Sequence, residues 1–421
     1  MILGVVADDF TGGTDVASMV VRSGLRTVQV IGVPKDAAVP DADAIVVALK
    51  SRTAPAAEAV RDSLAAWRWL HAAGARQWYF KYCSTFDSTP QGNIGPLAEA
   101  LLAELKAELK ADFTIACPSL PVNGRTVYRG HLFVFDQLLN ESSMRQHPLT
   151  PMTDANVVRV LQAQVQSGVG LVNDDVVRAG AAAIGKRFAE LRQEGVRFAI
   201  CDTTATEQLD ALAKACAELP LVTAGSGLAL GLPEAYTRCG WVTLDAQTAS
   251  ALPAIGDRAA VLAGSSSAAT NGQVRRWVDA ARPAFRIEPQ KLAAGEPVAQ
   301  QALDWAADQD AVLVYATASP DDVPSVQAAF GVEHAGQLVE QCLGHIAVGL
   351  QKAGVRRLVV AGGETSGAVV QALGVSPLRI GPTIDPGVPW TQAEGRDLLN
   401  AIKSGNFGGV DFFAKALAMT Q

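Results

Sequence analysis

The sequence predicts an α/β protein of two domains, each a mainly parallel sheet flanked by helices. Three observations carry this reading. The chain has 421 residues, whereas a single domain commonly takes roughly 100–200. Hydrophobic residues make up 49% and charged residues 18%, with 38 glycines, a balance that excludes a disordered chain and suits buried layers joined by tight turns. Short apolar runs alternate with longer Ala-rich amphipathic stretches, as parallel strands alternate with crossover helices.

Along the chain, Leu3–Ala7 is continuously apolar and stops at two aspartates. It reads as a buried strand and is too short for a secretory leader. Val28–Ile31, Ala44–Leu49, Trp78–Lys81, Phe113–Cys117, Gly170–Val172, Phe198–Cys201 and Leu221–Ala224 read the same way. Helix-length segments at Ala54–Ala73, Ile94–Lys110 and Asp175–Glu194 separate several of them. Val122–Asn156 is dense in Gly, Pro, His and Arg with little period, and is expected to be a long irregular loop serving function. The alternation pauses near Gly225–Pro233, and about 236–257 reads as a linker. The expected domains are therefore 1–250 and 251–421. In the second, strands are expected at Ala260–Ala263, Ala311–Tyr315, Leu358–Ala361 and Leu378–Ile380, with helices around Ala268–Ala281, Ala335–Lys352 and Ser366–Leu373.

The net charge of −7 argues against nucleic acid or an anionic membrane as the main partner. No window approaches the ~18–20 apolar residues of a membrane span. The expected location is the cytoplasm. The six cysteines show no CxxC pairing and the five histidines no HExxH, so reduced thiols and no zinc site are expected.

In open parallel sheets, ligands bind beyond the carboxyl ends of the strands. After the first strand come Asp8, Asp9, Phe10, Thr11 and Gly12. Paired carboxylates there can orient a hydroxyl or hold a cation, though Asp9 or Thr11 can equally cap the next helix. Neighbours in a regular strand point to opposite faces, so one of the two aspartates is expected to face a pocket. After the third strand come Lys50, Ser51 and Arg52; after the fourth come Lys81, Cys83, Ser84, Thr85, Asp87 and Ser88. Cations and hydroxyls on one edge suit a small polyhydroxylated anion such as a sugar acid.

The second domain carries glycine-rich turns at Gly264–Ser267, Gly362–Gly367 and Lys403–Gly409. Glycine lets backbone N–H groups approach phosphate oxygens, and a helix N-terminus adds a favourable field. Gly363 is expected to be the point of closest approach. Neither GxxxxGK[ST] nor GxGxxG occurs at these turns, but three together point to a nucleotide. The active site is expected in the inter-domain cleft, and phosphoryl transfer fits such a pair of ligands.

ADDFTGGTDVA (7–17), LKSRTAP (49–55), KYCSTFDSTPQGNIGP (81–96) and NGRTVYRGHLFV (123–134) resemble the four-carbon acid sugar kinase family. So do TAGSGLALGLP (223–233), AGSSSAATNGQV (263–274), AGGETSGAVVQALG (361–374) and KSGNFGGVDFF (403–413). The resemblance implies an acid-sugar-binding N-terminal domain, an ATP-binding C-terminal domain and Mg²⁺-assisted phosphorylation of the terminal hydroxyl of a tetronate-type acid. SSMRQHPLTPMTDANVVRVLQ (142–162), with STFDSTPQGNIGP (84–96), most resembles the branch acting on 3-oxo-tetronate; the same reaction on D-threonate or D-erythronate is the alternative. Carried over, Asp8, Asp9, Arg52, Lys81, Cys83, Ser84, Asp87 and Ser88 bind the acid, and Asp9 is the catalytic group. Ser265, Ser266, Ser267, Gly362, Gly363, Glu364, Thr365 and Gly405 bind ATP. Ser266 departs from the cysteine expected in that branch. Metal ligands are not assigned, and self-association is left open. Outside this class, a catalytically silent sugar-acid sensor that binds nucleotide is the rival; a dehydrogenase lacks its glycine fingerprint.

Overall fold

The computed structural model describes residues 1–34, 38–147, 149–316 and 332–419. The chain forms two compact units, Met1–Ser250 and Ala251–Gln421.

The first unit holds strands β1 (Leu3–Ala7), β2 (Thr27–Ile31), β3 (Ala44–Ala48), β4 (Gln77–Lys81), β5 (Thr114–Cys117), β6 (Arg125–Tyr128), β7 (His131–Val134), β8 (Gln137–Leu138), β9 (Gly168–Val172), β10 (Val196–Cys201) and β11 (Leu221–Ala224). Eight of them form one parallel sheet in the order β2-β3-β1-β4-β11-β5-β10-β9. The central strands are buried along their length because helices cover both faces. Trp67, Phe80, Tyr82 and Phe86 lie in the hydrophobic core on one side of this sheet. The chain leaves β1 for β2, returns through β3, and then crosses to β4 on the other side. That reversal opens a crevice between the carboxyl ends of β1 and β4. Ala7 is in register with both Ala48 and Lys81, so β3, β1 and β4 end flush.

Val122–Asn156 is not the irregular loop expected. It contains an antiparallel sheet, β6-β7-β8. The β6–β7 turn is Arg129–Gly130, both with positive φ (49° and 74°), as a two-residue primed hairpin turn demands. The sheet is docked by reciprocal backbone bonds between Val127 and Thr203, both 2.9 Å, just beyond the end of β10. Asp175–Glu194 also differs: it is two helices, Asp174–Arg178 and Ala181–Gln193, broken at Gly180 with φ +92°. Within the expected linker lie the end of helix Leu232–Arg238 and the short helix Ala246–Ser250.

The second unit contains β12 (Ala259–Ala263), β13 (Ala284–Arg286), β14 (Ala311–Tyr315), β15 (Arg357–Ala361), β16 (Leu378–Asp385), β17 (Val388–Ala393) and β18 (Leu399–Lys403). Their order is β13-β14-β12-β15-β18-β17-β16, parallel as far as β18 and antiparallel for the two pairings made by β17. Trp277, Trp390, Phe412 and Phe413 anchor its core. The path repeats that of the first unit: out from β12 to β13, back through β14, across to β15. Ala361 is in register with Ala263 and with Lys403, so β12, β15 and β18 again end level.

Two candidate ligand sites at the sheet edges

At the β1–β4 crevice the backbone is fixed first. Asp8 N–H donates to Lys81 O (3.0 Å), while Ser51 and Arg52 N–H donate to Asp8 O (2.9 and 3.1 Å). Asn93 steadies the Ser51–Arg52 turn by donating to both carbonyls. The Arg52 guanidinium then grips Asp8 bidentately, at 2.8 Å from Nε and from Nη2. The same Nη2 lies 2.7 Å from Asp9 Oδ1, and Nη1 lies 3.9 Å from Asp87. Both members of the acidic pair thus reach one side chain, contrary to the strand-alternation expectation. The reason is that the regular strand ends at Ala7.

Asp9 also caps the helix Phe10–Arg22, accepting from Gly12 N–H at 2.8 Å and from the Thr11 hydroxyl at 3.0 Å. Burial alone would raise its pKa, but Arg52, Lys81 and these donors outweigh burial and hold it below the usual carboxylate range. Capping and a pocket position therefore coexist in one residue. Lys81 is 2% exposed, and its ammonium makes no hydrogen bond to a described residue. A Cβ at Gly12 would stand 2.8 Å from Lys81 Nζ, so glycine is what lets the ammonium approach the helix start.

The loop after β4 is strained. Buried Phe86 and Asp87 have φ of 64° and 27°, a region that side-chain-bearing residues rarely occupy. Asp87 accepts the Thr85 hydroxyl at 2.6 Å. Burial pushes the Cys83 thiol up to about 12, so it is an inert neighbour rather than a nucleophile. Ser84 is half-buried. Ser88 is engaged on its own side, accepting from Gln164 at 2.8 Å.

Sequence reasoning missed Asp15, which lies on the buried face of the helix Phe10–Arg22. Its Oδ2 accepts the Ser226 hydroxyl at 2.6 Å, while Oδ1 is buried with no partner. Burial pushes its pKa up to about 6, against the pull of Lys81. A carboxyl whose native pKa is raised binds its proton more tightly when folded. Its contribution is therefore most favourable below about pH 4 and is lost as pH rises through 6. Asp15→Asn is expected to be more stable than the parent by about 3 kcal/mol at pH 7.5, and by almost nothing at pH 4. Urea titrations at the two pH values check this. A less stable variant at pH 7.5 would mean that the ionised carboxylate is needed beside Lys81.

In the second unit the three turns converge at the ends of β12, β15 and β18. The Ser267 hydroxyl caps the helix Ala268–Asp279 and donates to Gly405 O at 2.6 Å, and Ser267 N–H donates to Ser265 Oγ at 3.2 Å. A Cβ on Gly405 would collide with Ser265 Oγ, and one on Gly264 with Thr365 Oγ1. The turn's positive φ falls on Gly362, at +129°, rather than on Gly363, the expected point of closest approach. Gly363 begins the helix Gly363–Leu373 with open space around its Cα. Thr365 is buried, whereas Ser266 and Glu364 are exposed. Lys403, fully buried, donates to Thr270 Oγ1 (2.9 Å), Ser404 O (3.0 Å) and Gly405 O (3.1 Å). Burial lowers its pKa to about 7. It ties the third turn to the helix beside it. The arrangement leaves backbone N–H groups at two helix starts and a glycine turn around one point, a fit for phosphate oxygens.

A sugar-binding N-terminal domain family matches residues 3–232, and a nucleotide-binding C-terminal domain family matches residues 260–413. A 3-oxo-tetronate kinase of Cupriavidus necator is 61% identical, the match covering 99% of this chain and 96% of that one. One from Burkholderia multivorans is 60% identical over the same shares. Among solved structures, a Haemophilus influenzae protein superposes with a TM-score of 0.80 at 44% identity, covering 99% of each chain. A Salmonella typhimurium protein, described as a candidate tRNA synthase, gives 0.89 at 42% identity over 100% of this chain and 99% of that one.

Proposed function

Since the chain belongs to the four-carbon acid sugar kinase family, we propose that it transfers the γ-phosphoryl group of ATP to the 4-hydroxyl of 3-oxo-tetronate. The reading is carried by one observation above all: the chemistry gathers at the strand-reversal crevice of each unit. One crevice holds buried Lys81 among Asp8, Asp9 and Arg52; the other holds three glycine turns.

The acid binds the first unit. Lys81 and the Nη1 edge of Arg52 receive its polar groups, and the rest of the Arg52 guanidinium holds Asp8 and Asp9 in place and keeps Asp9 ionised. Cys83, Ser84, Asp87 and Ser88 line or support the loop beside it. Asp9 orients the 4-hydroxyl and accepts its proton. A weakly basic carboxylate suffices, because in a loose phosphoryl-transfer transition state the proton leaves late. In the second unit, Ser265, Ser266, Ser267, Gly362, Gly363, Thr365 and Gly405 cradle the triphosphate. No three His, Cys, Asp or Glu side chains among the described residues group to hold a metal. Mg²⁺ in ATP sites commonly takes phosphate and water oxygens with one or two carboxylates, and Glu364, on the first turn after Gly362, fits that supporting part. Bound there, Mg²⁺ would offset the charge of the phosphates. We place the enzyme in the cytoplasm, where ATP is supplied; no helix of the described residues is long and apolar enough to cross a membrane.

An ADP-release assay over 3-oxo-tetronate, D-threonate, D-erythronate and neutral four-carbon sugars tests the reading. The acids, led by 3-oxo-tetronate, are expected to drive ADP formation. The reading fails if no acid does so, or if neutral sugars serve equally.

A further inference from the structure

We infer that Arg125, carried on the small antiparallel sheet, is a specificity residue that receives the substrate carboxylate and so separates sugar acids from neutral sugars. The inference rests on the kinase reading above.

The other cations of the acid site are already committed. Arg52 has Asp8 and Asp9 in ion-pair contact and Asp87 at 3.9 Å. Its charge is more than balanced before any ligand arrives. Lys81 lies within the fields of Asp8, Asp9 and Asp15. Arg125 differs: no carboxylate of a described residue lies within ion-pair distance of it. Its Nε is buried with no hydrogen-bond partner, and its Nη1 donates only to the Asn123 carbonyl. Arg125 as a whole is half-buried; taking even part of an unpaired cation out of water is costly, and here burial lowers the pKa of the guanidinium, opposed by Cys83 and Asp87. Those two residues belong to the loop after β4, which sets Arg125 in electrostatic reach of the proposed acid site. An incoming carboxylate would supply the missing counter-charge.

The position is also built. The Arg125 guanidinium lies over the Phe135 ring, 5.3 Å from its centroid. Phe135 in turn packs against Gly124, where a Cβ would collide with the ring and where φ is +70°. The β6–β7 hairpin is pinned by Asp202, whose carboxylate accepts from Arg129 N–H (2.7 Å) and Gly130 N–H (2.9 Å). The backbone that carries Arg125 is thus fixed, which limits the freedom lost when its guanidinium meets an anion.

The test compares the parent protein with Arg125→Met and Arg125→Lys. Two acceptors are used: 3-oxo-tetronate and the neutral ketotetrose bearing a hydroxymethyl group in place of the carboxylate. Arg125→Met is expected to cut kcat/KM for the acid roughly 10- to 150-fold, the span for losing one charge-assisted bond, chiefly through KM. The acid-to-neutral ratio should fall by a similar factor, and Arg125→Lys should recover part of it. Calorimetric binding of D-erythronate without ATP should weaken to match, so turnover is not needed for the answer. A folded Met variant with unchanged binding and ratio overturns the inference. Equal losses for acid and neutral acceptor do so too, since they would mean a purely structural part. If Arg125→Met does not fold, Arg125→Gln takes its place, with the same expected fall. A parent protein that binds the acid yet releases no ADP refutes the kinase reading, and the binding constants still decide on Arg125.

Discussion

Asp9→Asn is expected to lower kcat by about 10²–10⁴, the usual effect of losing a positioned acid–base group, while ATP affinity stays near that of the parent. The geometry makes this a clean substitution. Asn retains a carbonyl oxygen for the Gly12 N–H, at 2.8 Å from Asp9 in the parent, so the helix cap survives. What is lost is the negative charge beside Arg52 and the ability to take a proton. Asp8→Asn should behave differently. Asp8 is 4% exposed and holds Arg52 through both oxygens, while burial raises its pKa against the pull of Arg52, so losing its charge acts first on the placement of Arg52 and not on proton transfer. Steady-state kcat beside melting temperature separates the two. Full kcat in Asp9→Asn with loss in Asp8→Asn would reverse the roles; full kcat in both would remove the acidic pair from the chemistry.

Gly362→Val is expected to weaken ATP binding by about 100-fold or more. Its φ of +129° is a conformation that a branched side chain cannot take without a cost of roughly 1–3 kcal/mol. The added Cβ would also sit 2.9 Å from Thr365 Oγ1 and 3.2 Å from Ser265 Cβ, wedging two of the converging turns apart. At about 1.4 kcal/mol per tenfold, strain and displaced donors together reach the stated loss. Calorimetry should find tetronate binding retained. Gly363→Ala, helical and with open space around it, should cost far less. Similar ATP affinity in Gly362→Val and the parent would take this turn out of the nucleotide site.

How much of this was readable in the chain depends on what each feature required. Strands such as Leu3–Ala7 and Ala311–Tyr315 are unbroken apolar runs between turn residues, and buried parallel strands have no other way to look. The β6–β7 hairpin escaped notice because its primed turn is Arg129–Gly130 rather than Asn-Gly, and because its strands are short and half exposed. β16 and β17 carry Pro382 and Pro389, which read as breaks in a sheet. β13 has three residues, and β18 ends on a lysine that is buried. The strand-end rule led to Asp8, Asp9, Arg52 and Lys81 because each follows a recognisable strand. Asp15 and Arg125 were out of its reach. Asp15 meets Ser226 from 211 residues away, and Arg125 is notable for the carboxylate it lacks, which no local pattern records.

The central claim is phosphoryl transfer to the 4-hydroxyl of a four-carbon sugar acid, and phosphorus NMR of the product tests it most directly. With 3-oxo-tetronate and Mg-ATP, the account predicts one new phosphomonoester resonance, coupled to the C4 methylene protons and growing in step with ADP. Inorganic phosphate alone, or an ester coupled to any other carbon, would contradict it.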